Sequence, residues 1–285
     1  MKSIIEWSKA ASLLVIGLLF SGSAGAGDFL LSVSSRDAIL RLILTPDVLV
    51  LDDSVTMTLA GSTVTGATGL ARHPLDDTLY ALLKLQGISF RELVTLDETT
   101  GVATSVGNTG DQLAGIVFAD DGTLYGVSGD GATMAETLFT VNTFNGSITF
   151  VVQLGNGSDG ETLAFNPDDG LLYHASGIGT PNSTEIFETI DPDNSFAVAN
   201  VSLSGDDYEE LSSLVYGDGG FFAGDVGNIN FDDPGLFRIT AGGVSTFLGS
   251  MDHVSKGLVY LPEPALAPQL LAGIALLWTV RRRRT

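Results

Sequence analysis

Residues 114–129 read AGIVFADDGTLYGVSG, and residues 161–177 read ETLAFNPDDGLLYHASG. Each is an apolar strand, an Asp/Gly turn and a second apolar strand. TGLARHPLDDTLYALL (68–83) and SSLVYGDGGFFAGD (212–225) repeat the pattern, and KGLVYL (256–261) repeats its opening half. The first anchors, Leu70, Ile116, Leu163, Leu214 and Leu258, stand 46, 47, 51 and 44 residues apart. The second anchors, Tyr80, Tyr125, Tyr173 and Phe222, stand 45, 48 and 49 apart; Leu30 in GDFLLSV, 50 residues before Tyr80, fits as the earliest of them.

Two further strands complete each unit. The third runs through ELVTLD (92–97), TLFTVN (137–142), EIFETID (185–191) and GLFRIT (235–240). The fourth runs through VATSVG (102–107), SITFVVQLG (147–155), FAVANVSLSG (196–205) and VSTFLGS (244–250). Alternating apolar and polar residues mark these as half-buried strands. The pairs Asp121-Gly122, Asn145-Gly146 and Asp169-Gly170 are strong hairpin turns, because Gly and Asn tolerate positive φ. Four antiparallel strands every 45–50 residues or so predict an all-β chain built of propeller blades.

The earliest unit has no first strand of its own, and residues 256–261 are a first strand with no companions. Placing them together completes five blades and removes two exposed edges. A β-sandwich or an open solenoid would use the same strands without that closure. The phrases FADDGTLYGV and LAFNPDDGLLY resemble lactonase-like and quinoprotein-like propeller repeats. Such repeats serve unrelated functions, so the resemblance carries no activity across.

The ends read differently from the body. Lys2 and Lys9 precede the apolar run Ala10 to Phe20, and Ala24-Gly25-Ala26 is a small-x-small cleavage site. Residues 1–26 therefore read as a secretory signal peptide. At the other end come Pro262-Glu263-Pro264, an uncharged stretch at 265–280, and Arg281, Arg282, Arg283 and Arg284. The prolines keep their segment extended. The uncharged stretch reads as a transmembrane helix of about 24 Å, a little short of the ~30 Å hydrocarbon core, and the arginines hold its end on the cytoplasmic side. Residues 262–285 closely resemble the PEP-CTERM sorting signal of Gram-negative bacteria. The resemblance implies recognition by an exosortase, cleavage near the Pro-Glu-Pro, and residence at the cell surface or in the extracellular matrix. An ordinary membrane anchor is the plainer alternative. The expected division is thus 1–26 signal peptide, 27–261 propeller and 262–285 sorting tail.

Residues 27–263 keep seven Lys+Arg against 33 Asp+Glu, a net charge of about −26, and the chain has no cysteine. An exported body without disulfides must stand on its apolar core. Its charge argues against nucleic acid or an anionic membrane surface, and favours divalent cations or basic partners. Connections from fourth strand to next first strand gather at one mouth of a propeller channel. They contain Asp111, Asp159, Glu161, Asp206, Asp207, Glu209, Glu210, Asp252 and His253. Asp111, Asp159, Glu161, Glu209, Glu210 and Asp252 are the candidate metal ligands, and their oxygens suit Ca²⁺; a solvated acidic rim is the bland alternative. Asp225, Asn228, Asn230, Asp232 and Asp233 form a second dense group, which reads first as a long surface turn.

Other motifs lead nowhere. Gly155, Gly157 and Gly160 spell a dinucleotide fingerprint, but a strand follows instead of a helix. Asp191 to Phe196 opens like a calcium loop but lacks its glycine and terminal glutamate. There is no G-x-S-x-G elbow. His73, His174 and His253 occupy non-equivalent positions, which argues against a zinc site. His253 beside Asp252 reads as an exposed loop residue before it reads as an oriented base. Tyr80, Tyr125 and Tyr173 read as sheet packing.

The sequence therefore predicts an exported, non-catalytic binding or adhesion propeller, associated with extracellular polysaccharide or biofilm. A secreted metal-dependent hydrolase of lactonase type is the alternative. Exosortase and signal peptidase are the processing partners.

Overall fold

Each Asp/Gly turn folds its flanking apolar runs into an antiparallel hairpin, and the next two runs extend the hairpin outwards. The structure, a computed structural model, describes residues 28–45, 49–129, 131–154, 162–177, 185–208, 210–227 and 233–262, and of 49–53 the backbone alone. The predicted signal peptide, the transmembrane stretch at 265–280, Glu263, Pro264 and Arg281 to Arg284 lie outside them. Among the described residues no helix is long and apolar enough to cross a membrane.

Blade 1 contributes β1 (Phe29–Val33), β2 (Ile39–Leu44) and β3 (Leu49–Thr56). Blade 2 contains β4 (Thr58–Leu59), β5 (Val64–Arg72), β6 (Leu79–Leu85), β7 (Glu92–Leu96) and β8 (Val102–Asn108). Blade 3 contains β9 (Leu113–Phe118), β10 (Leu124–Ser128), β11 (Thr137–Val141) and β12 (Ile148–Gln153). Blade 4 contains β13 (Thr162–Asn166), β14 (Leu171–Ser176), β15 (Ile186–Asp191) and β16 (Ala197–Asn200). Blade 5 contains β17 (Ser204–Gly205), β18 (Leu211–Gly217), β19 (Gly220–Asp225), β20 (Gly235–Ile239) and β21 (Val244–Ser250). The last strand, β22 (Gly257–Leu261), pairs antiparallel with β1, Leu31 opposite Val259, and completes blade 1. The chain is thus a five-bladed propeller closed by its C-terminal strand. Inner strands follow one another in a cycle: β22 beside β5, β5 beside β9, β9 beside β13, β13 beside β18, β18 beside β22.

Blades 2 and 5 have five strands where four were expected. In each, the incoming connection lays a two-residue strand parallel to the outermost one, β4 on β8 and β17 on β21. Those strands satisfy part of an edge that would otherwise offer unpaired amides and carbonyls.

The core is five apolar layers, one between each pair of neighbouring blades. Leu31, Leu70 and Leu83 share the layer between blades 1 and 2; Leu30, Phe222 and Leu258 share the one between blades 5 and 1. This corrects the expected alignment, since Leu31 takes the place that Tyr125 and Tyr173 take in their blades, facing the following blade. Side chains alternate along a strand, so an error of one residue exchanges the two faces. Inner strands approach closely because the residue before each anchor is small: Gly69, Gly115, Thr162, Ser213 and Gly257. A Cβ on Gly257 would stand 2.6 Å from the Leu70 backbone nitrogen in the next blade.

Candidate functional site

Turns after the first and third strands of each blade collect at one end of the channel, here the lower end; turns after the second strands and the connections between blades collect at the other, the upper end. Gly122, Gly146 and Gly170 adopt φ of 86°, 74° and 74°, so the predicted turns form with glycine taking the left-handed position. The short β18–β19 turn holds Asp218 and Gly219 both at positive φ, the geometry of a type I′ hairpin.

At the upper end the described members of the expected carboxylate set, Asp111, Glu210 and Asp252, are each engaged separately. Asp111 is 5% exposed, and its Oδ1 accepts from the amides of Gln112 and Thr133 at 2.8 Å each, which ties down the β10–β11 connection. Glu210 Oε1 stands 3.7 Å from Lys256 Nζ. Asp252 Oδ1 stands 2.6 Å from His253 Nδ1. Among the described residues, no group of three or more His, Asp and Glu is arranged to hold a metal. Asp159, Glu161 and Glu209 lie outside the described residues, as do Asn228, Asn230 and Asp232 of the second acidic group. Asp225 of that group is buried and accepts from the amides of Gly227 and Gly235, closing a turn.

His253 is not the exposed loop residue expected. It is 8% exposed, and its Nε2 stands 2.8 Å from the Ser32 hydroxyl. Burial pushes the imidazole below its usual range, while the Asp252 carboxylate partly opposes this. Ser32 is fully buried and also donates to Ser255 Oγ at 2.9 Å. The order carboxylate, imidazole, hydroxyl is that of a hydrolytic triad, but substrate has no approach to Ser32. Arg41, which pairs with Ser32 across β1 and β2, lies near and is held by both oxygens of Asp37. The other histidines are elsewhere. His174 and Glu188, both fully buried, pair at 3.0 Å inside blade 4, and His73 pairs with Asp76 at the lower end.

The lower end contains a feature the sequence reading passed over. Two residues beyond each inner-strand anchor stand Arg72, Phe118, Phe165, Tyr216 and Tyr260, one per blade, and all five line a cavity of about 230 Å³ on the channel axis. Their spacing was available as a signal, since they occupy one repeat position. The second-strand tyrosines do pack in the sheets, Tyr173 against Phe187 and Phe221. Neighbouring rings hold the cavity aromatics in place. Tyr260 stacks on Phe222 with 5.8 Å between centroids, and Phe118 meets His73 and Tyr80 edge-on. Gly217 makes room for Tyr260, whose Cγ a Cβ there would meet at 2.4 Å.

Polar groups rim this cavity. Tyr216 donates its hydroxyl to Asp168, which pushes the phenol up to about 12. Asp120 also lines the cavity. Arg72 is paired with Glu98 and Asp77, yet its buried Nε has no hydrogen-bond acceptor among the described residues. Aromatic walls with a few convergent polar groups are the kind of lining that suits a small ligand.

No protein-family model and no curated protein matches the chain. Among solved structures it is similar to hydrazine synthase of Kuenenia stuttgartiensis, at 14% identity over 76% of this chain and 62% of that one, with a TM-score of 0.45. It is similar to a gluconolactonase of Xanthomonas campestris, at 12% identity over 81% and 79%, with a TM-score of 0.47. It is also similar to an auxiliary nutrient-binding protein of Bacteroides thetaiotaomicron, at 14% over 75% and 52%, with a TM-score of 0.48. The chain spans less than two thirds of the first and last of these. At such identities and scores the likeness transfers no activity.

Proposed function

We propose that this chain is an exported binding propeller whose lower cavity takes the end of a neutral sugar chain of extracellular polysaccharide. The observation that carries the reading is the ring of Phe118, Phe165, Tyr216 and Tyr260, with Arg72, around the 230 Å³ cavity. Flat aromatic surfaces suit the apolar face of a pyranose. Asp120 and the Tyr216–Asp168 pair are placed to accept hydroxyl protons. The acidic rim disfavours an anionic ligand there. Delivery to the cell surface rests on the signal peptide and on the tail from Pro262 to Arg284, cut by signal peptidase and an exosortase.

A second reading, a secreted propeller hydrolase with lactonase-like metal chemistry, draws on the chain Asp252–His253–Ser32. The full burial of Ser32 and the separate engagements of Asp111, Glu210 and Asp252 weigh against it. Each reading has a namesake among the structures compared above, and neither gains weight from it.

One preparation tests both. Protein from the native host is sequenced at its C-terminus by mass spectrometry, applied to a glycan array and assayed for lactone hydrolysis with and without calcium. The expected protein lacks Arg281 to Arg284, binds a neutral glycan and turns over no lactone. Tyr216→Ala and Tyr260→Ala are each expected to weaken glycan binding about tenfold, or about 1.4 kcal/mol. Glycan binding untouched by both substitutions, or lactone turnover lost in His253→Ala, would overturn the proposal.

A further inference from the structure

We propose that the lower cavity is the first part of a longer binding track, which continues past Arg72 into a groove on blade 2 that holds the next units of a neutral sugar chain. The inference rests on reading the lower cavity as the seat of the chain end. It adds a second set of subsites and a minimum length of ligand. The groove has a volume of about 600 Å³, the cavity about 230 Å³. Ligand pockets commonly span about 300–1,000 Å³, so the cavity alone is small and the groove is of full size. Arg72 lines both, so its side chain is a wall common to the two spaces.

Arg72 is also where the repeat breaks. Its counterparts in the other blades, Phe118, Phe165, Tyr216 and Tyr260, are all aromatic. Its partner Glu98 breaks the repeat as well, since the matching turns of blades 3, 4 and 5 have Thr143, Pro192 and Ala241 there. These two departures meet in one ion pair. Arg72 donates to Glu98 with Nη2 and to the Asp77 carbonyl with Nη1 at 3.1 Å, so it ties the β5–β6 turn to the β7–β8 turn. An aromatic ring at position 72 would extend the apolar wall of the cavity; a guanidinium gives a polar crossing instead. Its charge is met by Glu98 and Asp77, so the crossing demands no anion. Beyond it the lining suits a neutral glycan. Thr95 and Thr104, opposite each other on β7 and β8, offer hydroxyl groups, as does Thr99. Val102, 54% exposed, offers apolar surface to a ring face. Asp77, Asp97 and Glu98 outnumber Arg72 among the lining residues, which disfavours an anionic chain.

The test is titration calorimetry of the purified protein with neutral oligosaccharides of one to five units, in glucose, mannose and galactose series. In the series that binds, affinity is expected to rise at least tenfold from one unit to four and then to level off. Thr95→Val/Thr104→Val removes two groove hydroxyls and keeps a β-branched side chain on both strands. It is expected to keep the urea midpoint of the parent and to cut the gain from one unit to four to about twofold, a change of ratio that misfolding cannot mimic. Tyr260→Ala is expected to weaken every length alike. Equal affinity for one unit and four, or the full gain retained in the double threonine variant, would overturn the groove and leave the cavity reading standing. Tyr260→Ala without effect at any length, or no binding of any series up to about 10 mM, would overturn both.

Discussion

His253 shows how one side chain ties a connection to the sheet behind it. Its Nδ1 faces Asp252 and its Nε2 faces Ser32, so the β21–β22 connection is fastened to the middle of β1. Burial holds the folded value below the usual 6.5, so at intermediate pH the unfolded chain binds a proton that the folded chain does not. Stability therefore rises with pH across the window between the lowered value and 6.5, and falls as pH drops through it. The urea midpoint is expected to decline on acidification from neutral pH, and His253→Gln to flatten that part of the profile. Parallel profiles for the two proteins would show that another group controls the window. Position 253 was legible as a residue beside an acid, but its burial was not, because Ser32 lies 221 residues away in the chain.

Among the elements, the inner strands carry the strictest demand. Gly257 faces the backbone of Gly69 and Leu70, at distances a Cβ would reduce to 2.6–3.0 Å. Backbone cannot swing aside as a flexible side chain can. Gly257→Ala is accordingly expected to destabilise the protein by about 1–3 kcal/mol, read from chemical unfolding. A cost near zero would mean that the inner strands have slack. The same element explains which parts of the site could be read early. Arg72, Phe118, Phe165, Tyr216 and Tyr260 sit at one repeat position, so their convergence follows from the period once the ring is accepted. Ser32 and His253 come from different positions in the repeat, and no period points to their meeting.

For the whole molecule, closure by β22 is the decisive contact. A chain without β22 leaves the inner side of β1 without its partner strand and opens two apolar layers. A chain ending at Pro262 is expected to unfold in one cooperative step. A chain ending at Met251 is expected to lose its near-ultraviolet circular dichroism and to aggregate, as judged by light scattering. A soluble, cooperatively folding Met251 chain would show that four complete blades suffice.

The amino-acid sequence by itself determined the blades, their number and the strand that closes them. Those follow from local alternation, turn glycines and a period, all of which act between near neighbours. The tertiary structure alone decided that Asp111 would spend its carboxylate on backbone amides and that His253 would be buried. Burial and charge proximity depend on loops from different blades meeting in space, and their separation along the chain carries no information about that meeting.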